Sequence, residues 1–135
     1  DGAGGAFVAW VAPGPSADTV HVQRLTGGGT IAAGWPANGA IACAAAGRRE
    51  GLAIAASPSG DVSLAWTDRR GADADVYATR LTAGGALAPG WSAGGDAIAT
   101  GSGAQLAPAV TAAAGDQLVL TPVLSAFVWD SKRQP

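Results

Sequence analysis

Apolar positions along this chain occur in short runs, and Gly, Pro, Asp and Ser lie between the runs. Many runs alternate apolar and polar positions, a pattern that predicts short β-strands bounded by turns. Ala-rich pieces such as ACAAAG favour helix by propensity, but they are too short and too closely bounded by Gly to form one. We therefore predict strands at AFVAW (6–10), VHVQRL (20–25), AIAC (40–43), LAIAA (52–56), VSLAW (62–66), VYATRL (76–81), AIAT (97–100), APAVTA (107–112) and QLVL (117–120).

The pattern repeats within the chain at a spacing of 56 residues. Segment 22–39 matches segment 78–95 at this spacing, and an inserted residue near Asp96 then brings Ile41 onto Ile98. Because chance rarely places several such matches at one spacing, we infer a duplication. Three pairs of residues share the spacing: Trp10 and Trp66, Arg24 and Arg80, and Trp35 and Trp91.

A third copy begins at 105–120, which matches 49–64, and the following residues match neither earlier copy. Each full repeat offers about four strands, and four-stranded antiparallel sheets repeated radially form a β-propeller. Ala and Gly allow sheets to approach closely, and Trp fills the space that widens outward. The sequence therefore predicts an all-β chain of antiparallel β-propeller-type blades with no significant helix. Two blades are near-complete and a third is partial, with repeats at 1–56, 57–104 and 105–135.

The strand count predicts association with other chains. A closed propeller needs about four blades, and this chain supplies three strands, then four, then two or three. The first copy lacks the strand that precedes GGAFVAW, and APAVTA is a spare strand near the other end. We expect a homo-oligomer or other protein subunits, in which the spare strand pairs with the gap in a neighbouring copy or in the same one.

The motifs G-G-x-x-V-A-W-x-D-x-R, D-x-Y-A-x-R-L and G-W-x-x-x-G-x-x-I resemble the tandem blade repeats of secreted bacterial β-propeller proteins, which are sialidase-like in general architecture. The resemblance covers residues 1–120 and implies a secreted or cell-envelope location. The first copy has VAPGPSADT where the second has TDRRGADAD, and the sialidase signature S-x-D-x-G-x-T/W is absent, so the resemblance implies no glycosidase chemistry. The matching residues are Leu64, Ala65, Trp66, Asp68, Arg70, Asp75, Tyr77, Ala78, Arg80, Leu81, Gly90, Trp91, Gly95, Ile98 and Pro108.

Composition excludes several functional classes. Charged residues make up 13% of the chain and the net charge is −2, so there is no basic face for nucleic acid, and Lys132 and Arg133 read as a solvated tail. No apolar run is long enough for a transmembrane segment. Cys43 is the single cysteine, so no internal disulfide forms, and we expect it to be a small buried side chain.

The segment TDRRGADAD, between two predicted strands, is a hairpin connection with two interpretations. Asp68, Asp73 and Asp75 supply oxygen ligands of the kind that Ca²⁺ binds, although their spacing matches no EF-hand. Alternatively, Asp68 pairs with Arg70 or caps the turn, which is the structural interpretation that we favour. Apart from this calcium site, the sequence predicts no cofactor.

The tryptophans also have two interpretations. Aromatic faces stack on sugar rings in lectins, but four tryptophans recur at fixed repeat positions and two of them lie inside strands, which favours packing in the core or between blades for Trp10, Trp35, Trp66 and Trp91. Trp35 and Trp91 follow Gly in turns and are the better ligand candidates, whereas the role of Trp129 stays open. A lectin-like carbohydrate-binding protein that forms a propeller by oligomerisation is therefore the alternative function.

The sequence contains no catalytic set. His21 aligns with Tyr77 and has no second histidine near it for a metal site, so a structural role is favoured. Glu50, the only glutamate, lies beside Arg48 and Arg49, where a surface ion pair is expected. No close pair of carboxylates suggests acid–base chemistry. We expect a non-enzymatic structural or protein-binding module, such as an accessory subunit of a larger assembly.

Overall fold

The computed structural model describes residues 1–113 and 118–124, and the elements in this part of the chain are β-strands without any helix. Every predicted strand is present, with bounds that differ by a few residues from the predicted ones. The all-β prediction is therefore confirmed. The strands are β1 (Ala6–Ala12), β2 (Thr19–Leu25), β3 (Ala40–Cys43), β4 (Arg49–Ala56), β5 (Val62–Asp68), β6 (Asp75–Leu81), β7 (Asp96–Ala99), β8 (Gln105–Ala112) and β9 (Leu118–Leu124).

The strands form three antiparallel sheets in the described residues. Sheet 1 has the order β1-β2-β3, sheet 2 the order β4-β5-β6-β7, and sheet 3 the order β8-β9. Strand β4 lies within the first sequence repeat, 1–56, but it pairs with β5 of the second repeat. The four-stranded sheet thus begins before the repeat boundary, and the described residues of sheet 1 include no strand equivalent to β4.

The backbone repeats at the spacing of 56 residues. Ala6 pairs with Leu25 in sheet 1, and Val62 pairs with Leu81 in sheet 2, so the two ladders have the same register. We call residues that lie 56 positions apart equivalent. The turns repeat as well, since the backbone N–H of Gly39 donates to Pro36 and that of Gly95 to Ser92.

The last strand of each copy corrects the sequence alignment. His21 pairs with Ile41, and the equivalent Tyr77 pairs with Ala97, so the spacing stays at 56 through β7. The prediction of an inserted residue that brings Ile41 onto Ile98 is therefore wrong. Backbone hydrogen bonds and the preceding turn fix this register, whereas the isoleucines are exposed side chains that packing does not hold in one position.

Sheet 3 continues the same repeat. Val110 pairs with Leu120 as Ile54 pairs with Leu64, and both strand pairs carry an irregularity at the same place. Strand β9 is thus equivalent to β5 as far as Leu124, although the residue types no longer match beyond Leu120. The strand pairing continues where the sequence pattern ends, because the backbone hydrogen bonds between strands do not depend on side-chain identity.

The core lies between sheets 1 and 2. Opposite residues of a strand pair share one face of a sheet, so Ala9, Val20 and Val22 define one face of sheet 1, which we call its inner face. The inner face packs against the face of sheet 2 that carries Trp66, and the buried cluster joins Val20, Val22, Trp35, Ala40, Ala42, Cys43, Val62, Leu64, Trp66 and Leu81. The second face of sheet 2 packs against β8, where the N–H of Ala107 donates to Thr67 Oγ1 at 3.0 Å.

Candidate functional site

The face of sheet 1 that points away from the core is open and largely apolar. It encloses a concavity of about 670 Å³. Val8 is 46% exposed and Trp10 is 37% exposed, which is unusual for large apolar side chains in the middle of a strand pair. We call this surface the outer face, and its lining residues are Val8, Trp10, Ala12, His21, Gln23, Leu25, Ile31, Ala37 and Asn38.

Trp10 lies at the centre of the outer face and is held there from two sides. Its ring stacks on His21, with 5.3 Å between the ring centroids and 9° between the planes. A Cβ atom on Gly39 would lie 2.6 Å from the Trp10 ring, so the indole covers a glycine of positive φ. The ring therefore packs against both neighbours while it stays partly exposed.

The centre of the equivalent surface of sheet 2 is covered. Trp66 is equivalent to Trp10 and is 0% exposed, and Leu64, equivalent to Val8, is buried with it. Gly95 lies against the Trp66 ring as Gly39 lies against Trp10. The difference lies in the neighbour, because the inner face of sheet 1 packs on Trp66 and no described sheet packs on Trp10.

Asp68 is the centre of a buried charged cluster at one end of the sheet 1–sheet 2 interface. Its Oδ1 accepts hydrogen bonds from the backbone N–H and the Nε–H of Arg70, each at 2.9 Å. Its Oδ2 accepts from Arg70 at 2.7 Å and from the indole N–H of Trp66 at 2.8 Å. Arg49 Nε lies 3.4 Å from the same oxygen. The structural interpretation of Asp68, as partner of Arg70 and cap of the turn, is confirmed.

Arg49 extends this cluster toward sheet 1, and Arg70 extends it within sheet 2. Arg70 donates to the carbonyl of Gly94 at 2.7 Å and lies over the Tyr77 ring, 3.9 Å from its centroid. Arg49 donates to the carbonyl of Ala45, in the segment that leaves sheet 1, at 2.6 Å. The cluster therefore fastens the two sheets together through charge-assisted hydrogen bonds.

The pKa of Asp68 lies below its ordinary value. Burial by itself raises the pKa of this carboxyl, but the hydrogen bonds from Arg70 and Trp66 and the charges of Arg70 and Arg49 outweigh it. The same ion pair raises the pKa of Arg70. Asp68 is consequently held as a carboxylate, and its oxygens already accept several N–H donors.

The structure does not gather the three aspartates of the predicted calcium site into a ligand set. Asp73 is exposed and Asp75 is half-buried, whereas Asp68 is buried among its arginines. Within residues 1–113 and 118–124, no group of three or more His, Cys, Asp or Glu side chains has the arrangement of a metal site. The calcium site stays a prediction that this geometry does not favour.

The two tryptophans predicted as ligand contacts lie in different surroundings. Trp35 is buried, and its indole N–H donates to the carbonyl of Ala83 at 3.0 Å, in the Thr82–Gly85 turn of the second repeat. Its ring also tilts against Phe7, with 5.8 Å between centroids. Trp91 is half-buried in a turn whose neighbours Gly90 and Ser92 are exposed. Of these two tryptophans, only Trp91 therefore keeps an accessible ring.

The repeated arginines each bind an aspartate, although the aspartates themselves are not equivalent. Arg80 binds Asp61 at 2.9 Å, and Arg24 binds Asp1 at 3.0 Å. Gly5 occupies the position equivalent to Asp61, so Asp1 reaches the same arginine from further back in the chain. The repeat thus preserves the ion pair by a different backbone route.

The remaining described residues considered in the sequence analysis are buried or form ion pairs. Cys43 is buried, as predicted. Glu50 pairs with Arg69 on the neighbouring strand end and not with Arg48 or Arg49, because cross-strand register brings Arg69 to it. Arg48 instead pairs with Asp18, whose pKa is lowered by a hydrogen bond from the backbone N–H of Arg49 and by Arg48. Trp129, Lys132 and Arg133 lie outside the described residues.

Sequence reasoning missed two features of the site. The Asp68–Arg49 pair joins β4 to β5 across an irregular ladder, and no spacing in the sequence indicates it. The outer face had a partial signal, because Trp10 repeats Trp66 and is therefore suited to burial. Whether a neighbouring sheet covers it depends on packing between sheets, which the repeat pattern does not encode.

A scan against protein-family models finds no match to this chain, and searches of curated proteins and of solved structures find none either. No helix that could span a membrane occurs in the described part of the chain.

Proposed function

We propose that this protein is a non-enzymatic structural or protein-binding module built of β-propeller-type blades, and that the outer face of sheet 1 is its protein-docking surface. One observation carries the proposal: Trp10 is 37% exposed where its equivalent, Trp66, is 0% exposed beneath a neighbouring sheet. The same kind of surface binds a sheet once within the chain. An exposed second example therefore supports docking of another sheet.

The chemistry of the outer face favours a protein over a small substrate. The surface is broad, open and lined mainly by apolar side chains, with Gln23 and Asn38 as uncharged polar groups. Its centre carries an aromatic ring, and aromatic side chains are enriched at the buried centres of protein interfaces. The only titratable group of the lining is His21, so no acid–base pair supports catalysis there.

The blade arrangement and the location belong to the same proposal. The spacing of 56 residues, the shared register and the face-to-face packing of sheets support blades that follow one another radially. The resemblance of the repeats to those of secreted bacterial β-propeller proteins supports a secreted or envelope-associated module. An accessory subunit of a larger assembly fits both features.

Site-specific photo-crosslinking tests the docking surface. A photoreactive amino acid replaces Val8 in the outer face or, as the matched control, Ile98, which is 45% exposed in sheet 2. We expect the probe at Val8 to form one discrete protein adduct, which the added substitution Trp10→Arg abolishes, and the probe at Ile98 to form none. A Val8 probe that forms no protein adduct contradicts the proposal.

Carbohydrate binding is a second candidate, and Trp91 supports it. This ring stays partly accessible in a turn with exposed neighbours, a setting in which aromatic faces stack on sugars. A glycan array compares the wild type with Trp91→Ala, and Trp35→Phe is the control because Trp35 is buried. Binding that disappears only in Trp91→Ala supports the candidate, and an array without any signal from the wild type rejects it.

A further inference from the structure

The described chain has two open sheet faces that correspond to the two sides of its own internal interface. One is the outer face of sheet 1. The other, which we call the open face, belongs to sheet 3 and points away from sheet 2. The open face consists of Ala109, Thr111, Val119 and Thr121, which are all exposed and lie around a shallow depression.

We propose that the partner of the outer face is a second copy of this chain, which docks through the open face of its sheet 3. This inference rests on the proposed function and specifies its partner. It makes the contact head-to-tail, so that a docked pair of copies still presents one free outer face and one free open face. Such heterologous contacts close into a ring where the rotation permits and otherwise continue as a filament.

Equivalent positions carry the argument. Val119 and Thr121 are equivalent to Ser63 and Ala65 of sheet 2, and these in turn are equivalent to Phe7 and Ala9 of the inner face of sheet 1. The inner face is the surface that covers Trp66. The open face of sheet 3 is therefore equivalent to the inner face of sheet 1, which is the surface that covers Trp66.

The composition of the two faces permits this contact. The open face presents two threonines, a valine and an alanine, which are small or β-branched side chains like Ala9, Val20 and Val22 of the inner face. Neither the outer face nor the open face carries an Asp, Glu, Lys or Arg side chain. Docking therefore buries apolar surface without placing a charge in the interface.

A pair of complementary variants tests the contact. Val8→Arg blocks the outer face and Val119→Arg blocks the open face, and the two valines are matched because they are 46% and 47% exposed. Ile98→Arg is the control, since Ile98 is 45% exposed and lies on neither face. Light scattering coupled to size exclusion gives the mass of each sample, and far-UV circular dichroism checks that each variant keeps its strands.

We expect the wild type and Ile98→Arg to associate, and each blocked variant alone to be a monomer. Burial of an unpaired arginine should weaken the contact at least about tenfold. A mixture of Val8→Arg and Val119→Arg should form a 1:1 heterodimer, because one copy contributes an intact open face and the other an intact outer face. If both blocked variants, each alone, associate to the same extent as the wild type, the inference is overturned.

The remaining outcomes separate this inference from the proposed function. If Val8→Arg dissociates the copies but Val119→Arg does not, the outer face docks a different surface and only the self-docking inference fails. If the mixture stays monomeric while the wild type associates, the contact is not head-to-tail, and the inference fails again. A monomeric wild type whose Val8 probe forms an adduct with another protein rejects the second copy as partner. A monomer without any adduct rejects both proposals.

Discussion

Trp10 and Trp66 occupy equivalent positions in two sheets of the same register, and their surroundings differ most in what covers the ring. Each ring covers a glycine of positive φ, at Gly39 or Gly95. Trp66 has a second sheet above it and is fully buried, whereas Trp10 is 37% exposed. The exposure of Trp10 thus reflects the absence of a neighbouring sheet among the described residues, because the side chain is of the same type as the one that is buried in the next repeat.

The two surfaces also differ in how they are fastened. The indole N–H of Trp66 donates to Asp68, which two arginines hold in place. Ala12 is equivalent to Asp68, so the outer face has no carboxylate at this end. A partner that docks on the outer face gains apolar burial without this charged cluster. Docking there is therefore expected to be weaker than the packing of sheet 1 on sheet 2, and reversible.

Truncation of the two tryptophans gives the largest expected difference. Trp66→Ala removes a fully buried ring and should lower the free energy of unfolding by about 3–5 kcal/mol. Trp10→Ala removes a ring that is already partly in water, and it should cost less than about 2 kcal/mol. Urea unfolding followed by circular dichroism measures both variants.

The background of this measurement matters, because self-association would bury Trp10. Both truncations are therefore made in Val8→Arg, which blocks the outer face, with Ile98→Arg as the parallel background that leaves it free. Similar losses for the two tryptophans in the blocked background would contradict the difference in burial between them. A larger loss for Trp10→Ala in the free background than in the blocked one would support docking on the outer face.

Removal of the charge on Asp68 tests the fastening of sheet 2. Asp68→Asn leaves the buried Arg49 and the partly buried Arg70 beside a neutral amide, and we expect a loss of about 2–3 kcal/mol at pH 7, because breaking a buried pair leaves the remaining charge unpaired. Arg70 is partly exposed, so the loss falls below that of a fully buried pair. Asp73→Asn is the matched control on an exposed aspartate of the same hairpin. Equal stability of the two variants would refute the fastening role.

The pH dependence follows from the lowered pKa of Asp68. A carboxyl whose pKa is lower in the folded state stabilises the fold at pH values above its unfolded pKa of about 3.8. This contribution disappears as the pH falls through the folded pKa. We expect the wild type to lose stability below about pH 4 and Asp68→Asn to show a smaller decrease over the same range. Parallel curves of unfolding free energy against pH for the two proteins would contradict this assignment.

Substitution of Gly39 or Gly95 by alanine should have an intermediate effect on stability. It tests how freely the tryptophan ring beside each glycine can move. Both glycines have φ of +77°, so alanine carries the same backbone cost of about 1–2 kcal/mol at each. At Gly95 the new Cβ would lie 2.7 Å from the immobile Trp66 ring, which should add about 1–3 kcal/mol of overpacking. At Gly39 the Trp10 ring can move toward solvent. Thermal unfolding should show the larger loss for Gly95→Ala, and equal losses would mean that Trp10 is held as firmly as Trp66.

The sequence predicted the strands and the repeat because both depend on local patterns. Alternating apolar positions and turn glycines indicate a strand wherever they occur, and the repeated Trp66 and Arg80 mark the second copy. The register at Ile98 was predicted wrongly, since an exposed isoleucine carries little information about pairing. Backbone hydrogen bonds between β6 and β7 determine the register at this position, and they do not depend on residue type.

The site was predicted less well because it depends on contacts between distant segments. Asp68 was correctly paired with Arg70, two residues away, but its contact with Arg49 requires the β4–β5 ladder. Trp35 looked accessible because Gly precedes it in a turn, yet the turn at Ala83 covers it. Packing between repeats determines both outcomes, and a single repeat does not contain that information.

The smallest effect concerns sheet 3 and a residue with positive φ. Ala107 has φ of 47° and is equivalent to Gly51, whose φ is 61°, and the two residues face each other across the β4 and β8 irregularities. The left-handed region costs a non-glycine residue about 1–2 kcal/mol, and a glycine avoids this cost. Part of that gain in stability is lost because glycine also makes the unfolded chain more flexible. Ala107→Gly should therefore raise the free energy of unfolding by about 0.5 kcal/mol, and Gly51→Ala should lower it by about 1–2 kcal/mol. Urea unfolding of the two variants measures effects of opposite sign. If Ala107→Gly destabilises the protein, the backbone of sheet 3 does not follow the geometry of sheet 2 at this position, and the equivalence on which the open face depends fails with it.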